Sequence, residues 1–411
     1  MEMAKTPRLF MMMFMQYFVQ GAWSMTLGLV LSTYGMSEII GTAYGALGLA
    51  TILSPLFTGM IADRFFSSQK VMGTLHLINA GMLLLIPQLF ESRNETLLIV
   101  AIFLVGLLFY PTVALANSIS FRHISGVKLF PAVRGFGTIG FMAIGFILGQ
   151  LGYSGSTMTW YIASGAGLAL GLYCFTLPKT PPKAHGDKFA VRDLFCLDAL
   201  SLFKDKYFSI FMLGTFFLMV TKTAYVAYIP VFISSLGFDN AASMMQIGSI
   251  TEIIFMLLLS LFLIKFGFKV VILSGAICWV IRCLLLSQAA ALESTTFVIV
   301  ALLLHGICWD FFFTAGDIYV DSKAGEKIKA QAQSLRFIVS NGIGLMFAST
   351  VCGQIFNRTV TATGTVSLPQ WQSFWLYPMA IAAAVAIVFL TIFKNEPKVQ
   401  PAKTVAEQDA A

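Results

Sequence analysis

Six ionisable side chains stand inside long apolar runs, where a water-facing surface cannot account for them. They are Arg134, Lys222, Glu252, Arg282, Asp310 and Asp317. Three are cations and three are carboxylates, so the set is able to balance within a packed interior. A charge in an apolar medium is costly and is a functional candidate by default. A buried carboxylate without a permanent cation partner favours its neutral form, so it loads and releases a proton under mild conditions. Glu252 and Asp310 are therefore the candidates for proton coupling. The alternative role is static ion pairing that only holds helices together. His305 lies five residues before Asp310 and is a titrating or a helix-packing group.

Aromatic, amide and hydroxyl groups are interleaved with these charges. Gln16, Gln20 and Trp23 follow at i, i+4 and i+7, and Arg134, Thr138 and Phe141 repeat that spacing, so each set shares one helical face. Thr223, Ser249 and Trp309 lie near Lys222, Glu252 and Asp310 in the sequence. A planar polar solute needs aromatic faces and a few placed polar groups. The substrate-binding candidates are thus Gln16, Gln20, Arg134, Thr138, Phe141, Thr223, Ser249, His305 and Trp309. Gly135, Gly137 and Gly140 form a GxGxxG, but no strand precedes it and an apolar helix follows, so a dinucleotide site is excluded. The glycines instead suit close helix packing. The 4 histidines and 6 cysteines have no metal-ligand spacing, which argues against an integral-membrane enzyme or a disulfide framework. No cofactor and no metal is expected.

The elements that must position these groups are membrane helices. The chain has 411 residues, 58% of them hydrophobic and 11% charged, against roughly 25% charged in a soluble domain. Apolar stretches long enough to span, at ~20 residues each, fall at 9–32, 39–62, 71–90, 96–118, 131–152, 156–177, 208–234, 244–265, 270–289, 295–319, 332–356 and 372–393. The first is too long for a signal-peptide core and reads as a retained helix. Most of the Lys and Arg residues fall in alternate connections, while the intervening ones hold only Arg93 and Arg358. This asymmetry predicts an even number of spans with both termini cytoplasmic, and it explains the net charge of +7 without nucleic acid.

The expected architecture is an all-α membrane protein of twelve transmembrane helices in two six-helix bundles. The bundles are 1–177 and 208–394, with a cytoplasmic linker at 178–207 and a disordered tail at 395–411. The linker carries Pro178, Pro181 and Pro182, and an amphipathic stretch from Val191 to Phe203 that suits a membrane face. Two such halves are the layout of major facilitator transporters. After the second span comes Gly59-Met-Ile-Ala-Asp63-Arg64-Phe-Phe-Ser-Ser-Gln-Lys70, which resembles the signature loop of that superfamily. Gly59, Asp63, Arg64 and Lys70 are expected to form a conformational latch. A weaker echo, Lys265-Phe-Gly267-Phe-Lys269, follows the eighth span.

Three further stretches are more specific. Pro111-Thr-Val-Ala-Leu-Ala-Asn117-Ser118, Phe130-Pro-Ala-Val-Arg134-Gly-Phe-Gly-Thr138-Ile-Gly140 and His305-Gly-Ile-Cys-Trp309-Asp310-Phe-Phe resemble the bacterial nucleoside:proton symporters, and the likeness covers nearly the whole chain. The resemblance implies a major facilitator fold, import of a nucleoside with a proton, and a monomer in the bacterial inner membrane. By the same resemblance, Arg134, Thr138 and Phe141 form a substrate face, Glu252 is the eighth-helix acid, and Trp309 with Asp310 is an aromatic–acid pair. The chain departs from the pattern at His305, where a tyrosine is common. It departs also at Thr223, Val226 and Ser249, where amides are expected to read the base or sugar. A sugar-like or other nucleoside-like solute is the alternative substrate.

Overall fold

A computed structural model describes residues 6–57, 66–124, 129–182, 196–325 and 328–394. Its regular elements, among the described residues, are all helices. The first half comprises α1 (Thr6–Ser24), α2 (Leu27–Thr33), α3 (Ile40–Phe57), α4 (Ser68–Ser92), α5 (Glu95–His123), α6 (Phe130–Gln150) and α7 (Met158–Cys174). The second half comprises α8 (Lys206–Ser235), α9 (Ala241–Ala291), α10 (Thr295–Leu303), α11 (His305–Trp309), α12 (Ala315–Lys323), α13 (Lys329–Phe337), α14 (Leu345–Thr359) and α15 (Leu368–Thr391). Among the described residues, 7 helical stretches are long and apolar enough to cross a membrane, and α10 with the helix that follows makes an eighth, bent by 44°.

Where it is described, each expected span falls mainly on helix, residues 58–62 of the second lying outside the described residues, but several are not uniform. The first is broken between α1 and α2 at Met25 and Thr26. The eighth and ninth run together as the 51-residue α9. At ~1.5 Å per residue an unbroken helix of that length would be more than twice the ~30 Å bilayer core. Gly267 divides it, with φ 77° and ψ 172°, a conformation open to a residue without Cβ. That glycine is the centre of the weak repeat of the signature loop. Two wider, π-helical turns occur at Asp310–Thr314 and Ile338–Gly344, between α11 and α12 and between α13 and α14. Each interrupts the regular ladder and redirects the side chains around it.

The outer surface is unlike that of a soluble protein, and several polar groups are buried among the apolar ones. Leu172, Leu213, Leu257, Leu261 and Leu390 are among the exposed apolar side chains, whereas Gln16, His76, Arg282 and Asp310 are buried. Only a surrounding lipid makes this arrangement favourable, because exposed apolar surface then needs no burial. The protein is a multi-pass membrane protein.

Helices α1, α4, α5, α6 and α7 pack mainly on one another, as do α8, α9, α14 and α15. Among the described residues, the two halves meet chiefly where α3 packs on α14 and on the Ile338–Gly344 turn, α6 on α9, and α2 on α8. At the first, a Cβ on Gly41 would lie 2.7 Å from the Gly353 Cα, so the backbones touch. Near this end, Asn357 donates to the Glu38 carbonyl (2.9 Å), and the Ala242 amide donates to Ser154 Oγ (3.2 Å). These contacts close the end formed by the loops near residues 35, 152 and 237. Toward the other end, Asp205 caps α8 by accepting from the Tyr207 and Phe208 amides (2.7 and 3.2 Å), and it accepts from Lys323 Nζ at 2.9 Å. Desolvation raises the Asp205 carboxyl, but these donors more than offset it and hold it below the usual carboxylate range.

Candidate functional site

A cavity of about 800 Å³ lies between the two sets of helices, with Cys196 of the connecting segment in its wall. Ser54 on α3 and Tyr110 and Asn117 on α5 contribute one side. Lys222, Trp309, Phe313, Asp317, Arg336 and Asn341 contribute the other. Pro111 stands inside α5 at this wall, where it removes a backbone donor. The two π-helical turns face the same space, so the polar interruptions of the tenth and eleventh spans are where the wall is built.

Lys222 sits midway along α8. Its ammonium donates to Asn341 Oδ1 (3.2 Å) and lies over the rings of Trp309 (4.4 Å) and Phe313 (5.0 Å). Arg336 is buried; it pairs with Asp317 and donates to the Phe313 carbonyl at 2.6 Å. Gln333 donates to the Asp317 carbonyl at 2.8 Å. Asp310 is 1% exposed. Its Oδ1 accepts from Thr314 at 3.0 Å, while Oδ2 is buried with no partner. An unsatisfied buried carboxylate oxygen is expensive, and a proton on it removes most of that cost.

A second charged group lies behind Trp309. Arg282 is fully buried, with its guanidinium 3.4 Å from the Tyr225 ring centroid. Its Nη1 meets His305 Nδ1 at 3.1 Å, and His305 Nε2 lies 3.4 Å from Glu252 Oε2. A guanidinium only donates, so the imidazole accepts at Nδ1 and carries its proton at Nε2, toward Glu252. The His305 ring also packs at 5.3 Å from Trp309.

The other sequence candidates are distributed over both halves. Gln16 is buried between Thr112 and His76. Gln20 has a buried carbonyl oxygen with no partner, and the Thr223 hydroxyl is likewise buried and unpartnered. Arg134 lies over the Tyr17 ring at 4.0 Å, with Thr138 and Phe141 half-buried further along α6. Ser249 donates to Gln246 at 3.2 Å, beside the contact of α6 with α9. Trp309 is the substrate candidate that lines the cavity. Of the expected latch, Gly59, Asp63 and Arg64 lie outside the described residues, and Lys70 is exposed near the start of α4.

Tyr110, Ser340 and Asn341 line the cavity but were not among the sequence candidates. The Ser340-Asn341 pair stands between Ile338-Val339 and Ile343, and this polar break in an apolar run is the signal that marks it. Among the described residues no group of His, Cys, Asp and Glu is arranged to hold a metal.

A helical body with an apolar outer surface, closed at one end beside a polar cavity, defines a membrane carrier, and its fold is that of the major facilitator transporters. The chain belongs to the nucleoside H+ symporter family, whose model matches residues 3–398. It is 33% identical to YegT of Escherichia coli K12, over 100% of this chain and 98% of the relative. It is 29% identical to the xanthosine permease of the same organism, over 94% and 95% of the two chains. A crystal structure of a mutant of the nucleoside transporter NupG superposes with a TM-score of 0.87 at 26% identity, covering 94% of this chain and 99% of that one. These relatives are transporters and not enzymes.

Proposed function

We propose that the protein imports nucleosides together with protons across the bacterial inner membrane by alternating access. The carrying observation is Asp310, a buried carboxylate with one oxygen unpartnered, next in sequence to a tryptophan in the cavity wall. Loading a proton there removes the buried charge, and unloading restores a charge that disfavours the closed surroundings. Glu252 is a second proton site, reached through His305. Trp309 supplies an aromatic face for the base. Arg134, Thr138 and Phe141 on α6, with Gln20, Thr223 and Ser249, meet the solute as the halves rock.

In this reading the chain has twelve spans in two six-helix halves, both termini face the cytoplasm, and the carrier works as a monomer. The closed contacts of α2 with α8 and α3 with α14 are on the outer side, so this is the inward-facing state. Purified protein in vesicles, given an acid exterior, should accumulate radiolabelled uridine. Accumulation should collapse with a protonophore. Full competition by simple sugars but not by nucleosides would replace the nucleoside with a sugar-like solute.

A further inference from the structure

The cavity wall holds more positive charge than it neutralises. Asp317 is taken by Arg336, whose other terminal nitrogen is bound to the Phe313 carbonyl. Glu252 is engaged with His305, and Asp310 with Thr314. Lys222 has a neutral amide oxygen and two aromatic faces as neighbours, and among the described residues no carboxylate lies within ion-pair distance of it. A bound solute that displaces water from this space leaves the ammonium short of an opposite charge unless the solute brings one.

We infer that the cavity selects a nucleoside whose base carries a single negative charge, and that Lys222 is the residue that reads it. The inference rests on the nucleoside reading above and adds the charge state of the substrate. Trp309 and Phe313 flank the ammonium, so a planar base lying against them brings its exocyclic oxygens to the cation. Tyr110, Asn117 and Ser340 offer hydroxyl and amide groups for a ribose, within a volume in the ~300–1,000 Å³ range of small-molecule sites. Asn341 holds Lys222 in place without neutralising it, which keeps the cation available to the ligand.

The test uses two nucleosides that differ in one exocyclic oxygen. The base of xanthosine is an anion in slightly alkaline buffer, and that of inosine is neutral. Binding of each to the purified full-length protein is measured by calorimetry. The unmodified protein should bind xanthosine about tenfold or more tightly than inosine, the scale of one charge-assisted hydrogen bond. Lys222→Gln should remove that ratio while still binding inosine, and Lys222→Arg should keep most of it. Asn341→Asp gives the native lysine a carboxylate and should also erase the preference, so the inference does not depend on one variant folding. Equal affinity in the unmodified protein, or a ratio that survives in both Lys222→Gln and Asn341→Asp, overturns the charge reading and leaves nucleoside transport standing. If neither nucleoside binds, the nucleoside reading itself falls.

Discussion

The polar groups buried in the first half differ from those in the second. Gln16 donates to Thr112 at 2.7 Å and accepts the Nε2–H of His76 at 2.8 Å, which ties α1, α4 and α5 together without a net charge. Thr112 in turn donates to the Phe109 carbonyl at 2.6 Å. In the second half the buried groups are charged and incompletely matched. Arg282 reaches Glu252 only through an imidazole, Asp310 keeps a free oxygen, and among the described residues no carboxylate lies within ion-pair distance of Lys222. A neutral hydrogen-bonded network joins the helices without responding to charge, although the His76 Nδ1 is left without a partner. A charged network with openings changes its energy when a proton or an anion arrives. The first half therefore acts as a frame and the second as the responsive part.

The sharpest way to break this comparison is Asp310→Asn. The amide keeps the size and the bond to Thr314 but cannot load a proton. Proton-driven accumulation of uridine should drop to that of empty vesicles, while exchange of uridine across an ungraded membrane persists. Full accumulation in this variant would remove Asp310 from coupling. Arg336→Met is next in size. It breaks the pair with Asp317 and the bond to Phe313, and because Asp317 is 47% exposed the cost is about 1–3 kcal/mol rather than that of a fully dry pair. It should appear as a lower melting temperature in detergent, partly recovered by adding Asp317→Asn.

What the sequence made legible follows from which signals are local. Hydropathy over a ~20-residue window located the helices, because lipid imposes the same demand on every span. The echo at Gly267 anticipated a real break, since a glycine between basic residues at a span end is a local sign. The break at Met25-Thr26 carried no glycine or proline and was not readable. The charges were visible by type, but their partners were not. Arg336 finds Asp317, and Arg282 finds His305, between separate helices, and the packing that brings them together has no short sequence signature. Gln16, expected from its spacing to bind substrate, is engaged with His76 and Thr112 in this state, partners its spacing does not show.

A test of the frame is His76→Leu. The leucine leaves the Gln16 carbonyl without its donor in a dry interior, for about 1–2 kcal/mol. Thermal melting should shift down, whereas the dependence of uptake on external pH should keep its shape. A changed pH profile would mean that the first half also senses protons, and the division drawn above would fail.

Tyr17→Leu probes the place on α6 where the first half holds a cation against an aromatic ring. Arg134 lies 4.0 Å from the Tyr17 ring centroid, and among the described residues no carboxylate pairs with it. Its main fixed partner is thus the ring face, with a stabilisation of about 0.5–1 kcal/mol. Losing the ring should lower the melting temperature slightly and let the arginine swing, so uridine affinity should weaken more than maximal rate. Tyr17→Phe keeps the face and should behave as the unmodified protein. If Tyr17→Phe is as impaired as Tyr17→Leu, the hydroxyl rather than the ring is what counts, and Arg134 is then not held by its quadrupole but by a polar contact formed in the other state of the cycle.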